Sequence, residues 1–164
     1  MRQVEFVPVR LTEVAEIYSV RISGNKNTEL QKFFITFKDI DCHDLQKDFE
    51  QILKSLAEIV QHGAKESFFR PEGKMKDRVC AIPLYTAPKT YKRNGTLRLY
   101  CIRISNELLI AGGGGLKTTQ TYEEDATLSE HVQILQNIDK ELSRLEDEGK
   151  DLCKDICNIT LHID

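Results

Sequence analysis

Residues 97–111, LRLYCIRISNELLIA, decide the fold of this chain. Two β-rich runs, 97–104 and 107–111, flank the dipeptide Ser105-Asn106. Apolar runs joined by so short a polar connection predict a tight antiparallel hairpin. A third β-rich run, 79–85, comes before them, so the sequence predicts a three-stranded meander.

The sequence before the meander predicts two strands followed by a helix. The runs 4–9 and 16–22 are rich in valine, isoleucine and tyrosine, which is typical of strands. Thr28 with Gln31 three residues later forms a capping box, which predicts a helix over about 29–38. Aromatic and aliphatic residues also alternate within that stretch, so a strand stays open as the alternative.

A second helix is predicted after Asp41 or Asp44, either of which is a suitable N-cap. Gly63 is expected to end it. Its apolar residues recur every three or four positions, which is the spacing of one helical face. They are Leu45, Phe49, Ile52, Leu53, Leu56, Ile59 and Val60.

A third helix is predicted over 128–148, where a second capping box, Thr127 with Glu130, begins it and Gly149 ends it. One narrow apolar seam runs along this segment and marks the face that packs on the sheet. The seam consists of Leu128, Val132, Leu135, Ile138, Leu142 and Leu145. The last run, 156–163, alternates well enough for a closing strand.

This order of elements predicts an α+β fold in one domain, 1–164. Successive strands joined by tight turns imply an antiparallel sheet made of the N-terminal strands and the meander. Two N-terminal helices and one long C-terminal helix are expected to pack against it. At 164 residues and 40% hydrophobic content, the chain is long and apolar enough for one core.

Composition narrows the class of protein. No apolar run reaches the roughly 18 residues that a membrane span needs, and the N-terminus has no apolar signal core. The five cysteines form no Cys-x-x-Cys pair, which predicts free thiols in a reducing compartment. We therefore expect a cytoplasmic protein with no metal, no cofactor and no membrane association.

Charge is distributed unevenly along the chain. Residues 65–117 carry 11 Lys/Arg against 4 Asp/Glu, a net of +7, whereas residues 118–164 carry 4 against 12, a net of −8. A basic middle is typical of an anion-binding surface, although the acidic tail is large enough to neutralise it within the fold. The candidates for RNA binding in the middle are Lys74, Lys76, Lys89, Lys92 and Arg93.

The stretch 96–122, TLRLYCIRISNELLIAGGGGLKTTQTY, resembles the RelE/ParE-like toxins of bacterial toxin–antitoxin systems. These toxins have two helices, a three-stranded meander and a further helix, with an arginine on a meander strand, a short turn, an apolar strand and then basic residues. The resemblance covers roughly 15–148, which leaves 1–14 and 150–164 as short additions.

The resemblance implies a toxin component that pairs with a small antitoxin and cleaves or contacts mRNA at the ribosome; ParE-like members act on gyrase instead. By position, Arg98 corresponds to the phosphate-stabilising arginine, Lys117 to a second cation and Tyr122 to a proton-transfer group. Arginine and lysine stabilise the charge that develops on phosphoryl oxygens without a metal.

Two features keep a different class of function open. The run 79–84 carries no lysine where such nucleases have them, and Gly112–Gly115 offers no side chains. The alternatives are therefore an attenuated toxin or a non-catalytic protein-interaction module on the same fold. For the glycine run itself, we predict a strand that bends or bulges where side chains would crowd.

Overall fold

A computed structural model describes residues 1–71, 77–82, 95–118 and 126–164. Its strands are β1 (Arg2–Leu11), β2 (Glu16–Ile22), β3 (Arg70–Pro71), β4 (Val79–Ala81), β5 (Thr96–Ser105), β6 (Leu108–Lys117) and β7 (Thr160–Ile163). Its α-helices are α1 (Glu29–Phe37), α2 (His43–His62), α3 (Ala126–Asp147) and α4 (Leu152–Asp155). No helix in these ranges is both long enough and apolar enough to cross a bilayer.

The strands form one sheet in the order β3-β4-β5-β6-β2-β1-β7, so the α+β class is confirmed. The prediction of an antiparallel sheet is wrong at its centre, where β2 runs parallel to β6 from Glu16 opposite Leu108 to Ser19 opposite Ala111. Parallel neighbours need a long connection, and here both N-terminal helices and β3–β5 lie between the two strands. The sheet is therefore mixed.

The hairpin that decides the fold forms as β5 and β6, with two differences from the prediction. The turn residues are Asn106 and Glu107 rather than Ser105-Asn106, because Ser105 still pairs with Leu108. The second strand continues to Lys117, so the glycine run lies within β6. The meander's first strand is described as β4, and positions 83–85 of that prediction lie outside the described residues.

Helix α1 has the predicted capping box: the backbone N–H of Gln31 donates to Thr28 Oγ1 at 3.2 Å, and the backbone N–H of Thr28 donates to Gln31 Oε1 at 2.7 Å. The strand alternative is thereby excluded. The predicted N-caps of α2 are wrong, because the N-cap is Cys42 and Asp44 lies in the first helical turn. Gly63 ends α2 with a φ of +97°.

Helix α3 begins at Ala126, so Thr127 lies inside its first turn and is not the predicted N-cap. The predicted end of the helix is confirmed, because Gly149 follows it with a φ of +96°. The predicted closing strand is wrong in its first half, where a 3₁₀ turn spans Ile156–Asn158 before β7. β1 and β7, which the resemblance treats as additions, pair with each other at one end of the sheet.

The two faces of the sheet are both covered. We call them the α3 face, packed by α3, and the α2 face, packed by α1 and α2. On the α3 face the predicted seam is buried at Leu128, Val132, Leu135, Ile138 and Leu142. Its last member, Leu145, is partly buried. Alternate residues of β5 face opposite ways, Tyr100 and Ile102 toward α3 and Leu99 and Cys101 toward α2.

Candidate functional site

The glycine run forms a β-bulge in β6. Cys101 of β5 pairs with Ala111 and Leu99 pairs with Gly114, so one residue on β5 faces two on β6. The extra residue falls at Gly112 and Gly113, which confirms the predicted bulge.

Close packing explains why this strand segment lacks side chains. A Cβ on Gly112 would lie 2.8 Å from both methyl carbons of Leu135, and one on Gly113 would lie 2.7 Å from His131 Nδ1. A Cβ on Gly114 would lie 1.9 Å from the Arg98 carbonyl oxygen. Helix α3 therefore sits directly against the backbone of β6.

The bulge lies where β2 and β6 separate. Their pairing ends at Ser19 and Ala111. Ser19 Oγ donates to the carbonyl oxygen of Ala111 at 2.7 Å and accepts from the backbone N–H of Leu30 at 3.2 Å, so it joins both strands to the start of α1. Beyond this point α1 and α3, which cover opposite faces of the sheet, approach each other beside the edge of β6.

A cleft of about 450 Å³ lies between these two helices, and we call it the α1–α3 cleft. This volume is in the range of small-molecule binding sites. The wall from α1 consists of Glu29, Lys32, Phe33, Thr36 and Phe37, the wall from α3 consists of Thr127 and His131, and β6 contributes Gly113 to Leu116.

Glu29 is the most buried charged group in this cleft, with a side chain 7% exposed. Its Oε2 atom is ion-paired with Lys32 Nζ at 2.9 Å. Its Oε1 atom lies 3.9 Å from His131 Nδ1, which is too far for a hydrogen bond. Within the described part of the chain, it is Oε2 that is buried and makes no hydrogen bond, although Lys32 lies beside it. A buried carboxylate oxygen without a donor is costly, so it marks a candidate binding group.

His131 faces Glu29 as a neutral imidazole at neutral pH. Burial lowers the pKa of His131, and this effect outweighs the carboxylates of Glu29 and Glu130, which raise it. The Lys32 ammonium acts in the same direction as burial. A neutral imidazole can donate a hydrogen bond at one nitrogen and accept one at the other.

The structure brings together two of the predicted site residues, Arg98 and Lys117. Their chain neighbours Leu97 and Leu116 pack on the α2 face, so both basic side chains belong to the α3 face. Arg98 pairs with Gly115, two positions from Lys117, so the two residues are diagonal neighbours, whose Cα atoms are typically about 7–8 Å apart. In the described ranges, the buried Nε atom of Arg98 has no hydrogen-bond partner.

The other predicted site residues cannot be placed relative to these two cations. The predicted proton-transfer group Tyr122 lies outside the described residues. So do all five predicted RNA-binding residues, which are Lys74, Lys76, Lys89, Lys92 and Arg93.

Two further arginines of the basic middle are used inside the fold. Arg78 Nε donates to Asp139 Oδ1 at 2.8 Å, and its Nη1 is ion-paired with Glu146 at 2.8 Å. Arg103 Nε donates to the carbonyl oxygen of Ala64 at 2.6 Å. Part of the basic block is therefore neutralised by the acidic helix α3.

Sequence reasoning missed Glu29 and His131 as a pair. They are 102 positions apart, and neither belongs to a motif. Two signals were available in the sequence. The α1 capping box places Glu29 in the first helical turn, and the glycine run marks a strand that another element approaches closely.

The cysteines and histidines form no cation site in the ranges the structure covers, where no group of three or more His, Cys, Asp or Glu could hold a metal ion. Cys80 and Cys101 are free thiols, buried as cross-strand neighbours with their sulfurs 3.6 Å apart. Cys153 and Cys157 are exposed.

Comparisons with known proteins add no family to this picture. No family model, curated protein or solved structure matches the chain.

Proposed function

We propose that this protein is a toxin component of the RelE/ParE-like kind. It acts in the bacterial cytoplasm, is held by a small antitoxin, and contacts or cleaves RNA at the ribosome. Arg98 and Lys117 bind the phosphate at which the reaction takes place. The observation that carries the proposal is that the sheet brings these two cations to one face, where the buried Nε of Arg98 has no hydrogen-bond partner among the described residues.

The chemistry requires charge stabilisation at one phosphate. A 2′-hydroxyl oxygen attacks the adjacent phosphorus and forms a 2′,3′-cyclic phosphate while the bond from phosphorus to the 5′-oxygen breaks. Water takes the proton of the hydroxyl, and a second proton is delivered to the leaving 5′-oxygen. Negative charge grows on the phosphoryl oxygens, where a guanidinium and an ammonium are suited to receive it. Tyr122 supplies the proton in this proposal.

A non-catalytic interaction module on the same fold is the second candidate. The internal pairing of Arg78 with Asp139 and Glu146 favours it, because this pairing uses part of the basic charge for the fold. The two candidates differ in RNA affinity and in toxicity, so one set of variants separates them.

The test is induced expression in bacteria together with RNA binding by the purified protein. Wild type is expected to arrest growth, and Arg98→Ala to relieve the arrest at equal soluble levels. Losing one charge-stabilising donor costs on the order of 100-fold in rate. Arg144→Ala is the matched control, because Arg144 is exposed on α3 and pairs only with helix neighbours among the described residues.

Salt dependence gives the second readout. Each phosphate contact on single-stranded RNA contributes roughly −0.7 to the log–log slope of affinity against salt. Arg98→Ala and Lys117→Ala are each expected to flatten the slope by about 0.7. Equal toxicity and an unchanged slope for Arg98→Ala would remove Arg98 from the site. An absence of both toxicity and RNA binding would favour the interaction module.

A further inference from the structure

We propose that Cys80 and Cys101 form a reversible disulfide when the protein meets hydrogen peroxide, and that Cys80 is the thiol that reacts first. The site is a pair of thiols buried side by side across β4 and β5, next to a small pocket. The inference goes beyond the proposed function and does not depend on it, because neither thiol takes part in the proposed RNA site.

The register of the sheet places the two cysteines directly opposite each other. Cys80 pairs with Cys101 in the antiparallel strands β4 and β5. Two positions further along, the backbone N–H of Ile82 donates to the carbonyl oxygen of Leu99 at 2.8 Å. Hydrogen-bonded pairs recur at every second position, so the two cysteines form such a pair, with Cα atoms about 5.5 Å apart. This separation lies within the range of roughly 4.4–6.8 Å that disulfides span.

The two side chains already touch. Both belong to the buried cluster on the α2 face, and their Sγ atoms are 3.6 Å apart. A disulfide bond is about 2 Å long, so the sulfurs need to approach by roughly 1.5 Å. Rotation about the Cα–Cβ bonds can supply this movement while the strands stay paired. The pair can therefore be oxidised within the folded protein.

A pocket gives a small oxidant access to one of the two thiols. Its volume is about 140 Å³, and among the described residues its lining includes Cys80, Phe69 and Arg103. A cavity needs only roughly 10–15 Å³ to hold one water molecule, and hydrogen peroxide is little larger than water. Cys80 is 5% exposed, whereas Cys101 is 0% exposed and does not line the pocket. Cys80 is therefore the thiol that peroxide meets.

The oxidation proceeds in two steps. The Cys80 sulfur attacks one peroxide oxygen, the S–O bond forms as the O–O bond breaks, and the thiol proton leaves with the other oxygen as water. The Cys101 sulfur then attacks the sulfur of this sulfenic acid, the S–S bond forms as the S–O bond breaks, and the Cys101 proton leaves with that oxygen as a second water.

Two thiols are thus oxidised while one peroxide is reduced. Burial raises the pKa of the Cys101 thiol, so Cys101 still carries the proton that the second step requires. A thiol reductant restores both cysteines by exchange.

The experiment treats the folded full chain with hydrogen peroxide, removes the peroxide and alkylates the remaining thiols in urea. Trypsin cleavage then leaves Cys80 in peptide 79–89 and Cys101 in peptide 99–103, each without another cysteine. Mass spectrometry should find these two peptides joined in most chains, with two hydrogens lost, and dithiothreitol should separate them. Because 20 residues lie between the cysteines, the disulfide restricts the unfolded chain, and the oxidised protein should unfold at a urea concentration about 1 M higher.

Two variants test the order in which the thiols react, and a third is the control. In Cys101→Ala, the sulfenic acid at Cys80 has no thiol partner beside it and should accumulate, so dimedone should trap more of it than in wild type. In Cys80→Ala, dimedone should label Cys101 much less, because Cys101 is fully buried. The double variant Cys153→Ser/Cys157→Ser removes two exposed thiols and should leave the linked peptides unchanged.

Free Cys80 and Cys101 after peroxide treatment of wild type would overturn the inference, whatever the folding of the variants. Loss of the linked peptides in the Cys153/Cys157 double variant would also overturn it, since the link would then depend on the exposed thiols. Equal dimedone labelling of Cys101 in Cys80→Ala and of Cys80 in Cys101→Ala would refute the assignment of Cys80 as the first thiol to react. None of these readouts involves RNA, so the proposed function is tested separately.

Discussion

Substituting Gly112 by alanine is expected to destabilise the fold through one contact, with Leu135. The new Cβ would lie 2.8 Å from both methyl carbons of this leucine, which is 1% exposed in the core of the α3 face. Leu135 must move to make room, and overpacking of this kind costs about 1–3 kcal/mol. Leu135→Ala removes the same methyl groups and leaves a cavity, which costs about 2–5 kcal/mol.

The double variant decides whether this contact is the cause. Without Leu135 methyl groups to meet, the alanine at 112 fills part of the cavity, so the two costs should not add. The loss of unfolding free energy in the double variant should be at least about 1 kcal/mol smaller than the sum of the losses in the two single variants. Contacting residues couple by about 0.5–3 kcal/mol.

Urea unfolding of wild type, both single variants and the double variant measures this coupling from the transition midpoints and slopes. Additivity within about 0.5 kcal/mol would refute direct packing of α3 on the β6 backbone. A cost below about 0.5 kcal/mol for Leu135→Ala alone would remove the third helix from the core.

Further outcomes follow from the same structure. Burial lowers the pKa of His131 in the folded protein, so the unfolded chain binds more protons as pH falls through about 6.5. The free energy of unfolding should therefore decrease as pH falls through this range. Urea midpoints should show a weaker decrease in His131→Gln than in wild type. Arg78→Met leaves the buried Asp139 carboxylate without its ion pair and should lower the free energy of unfolding by about 3 kcal/mol in urea. A loss below about 1 kcal/mol would show that this ion pair does not stabilise the fold. Gly114→Ala places a Cβ against the Arg98 carbonyl oxygen and should lower the melting temperature more than Gly112→Ala does, because backbone atoms can move less than a side chain. A larger decrease for Gly112→Ala would contradict the bulge geometry.

Local sequence signals predicted several features that depend on nearby residues, although the predicted N-caps of α2 and α3 were wrong. The Thr28–Gln31 capping box and the apolar seam of α3 act within one helix, and the β5–β6 hairpin needs only two runs and a short turn. Hydrogen-bonding capacity and side-chain periodicity decide these features, and both can be seen in the sequence. The bulge at the glycine run was predicted for the same reason.

Tertiary structure decided which distant segments meet. Nothing near Glu16–Ile22 in the sequence indicates that β2 pairs in parallel with β6, because that choice depends on how the helices and the meander between them pack. The candidate site depends on the same choice. β2 and β6 separate after Ser19, and the opening lets Glu29 of α1 approach His131 of α3. The sequence supplied the carboxylate, the imidazole and the glycines, but only long-range packing brought these groups to one cleft, because contacts between distant segments are selected by the burial of the whole core.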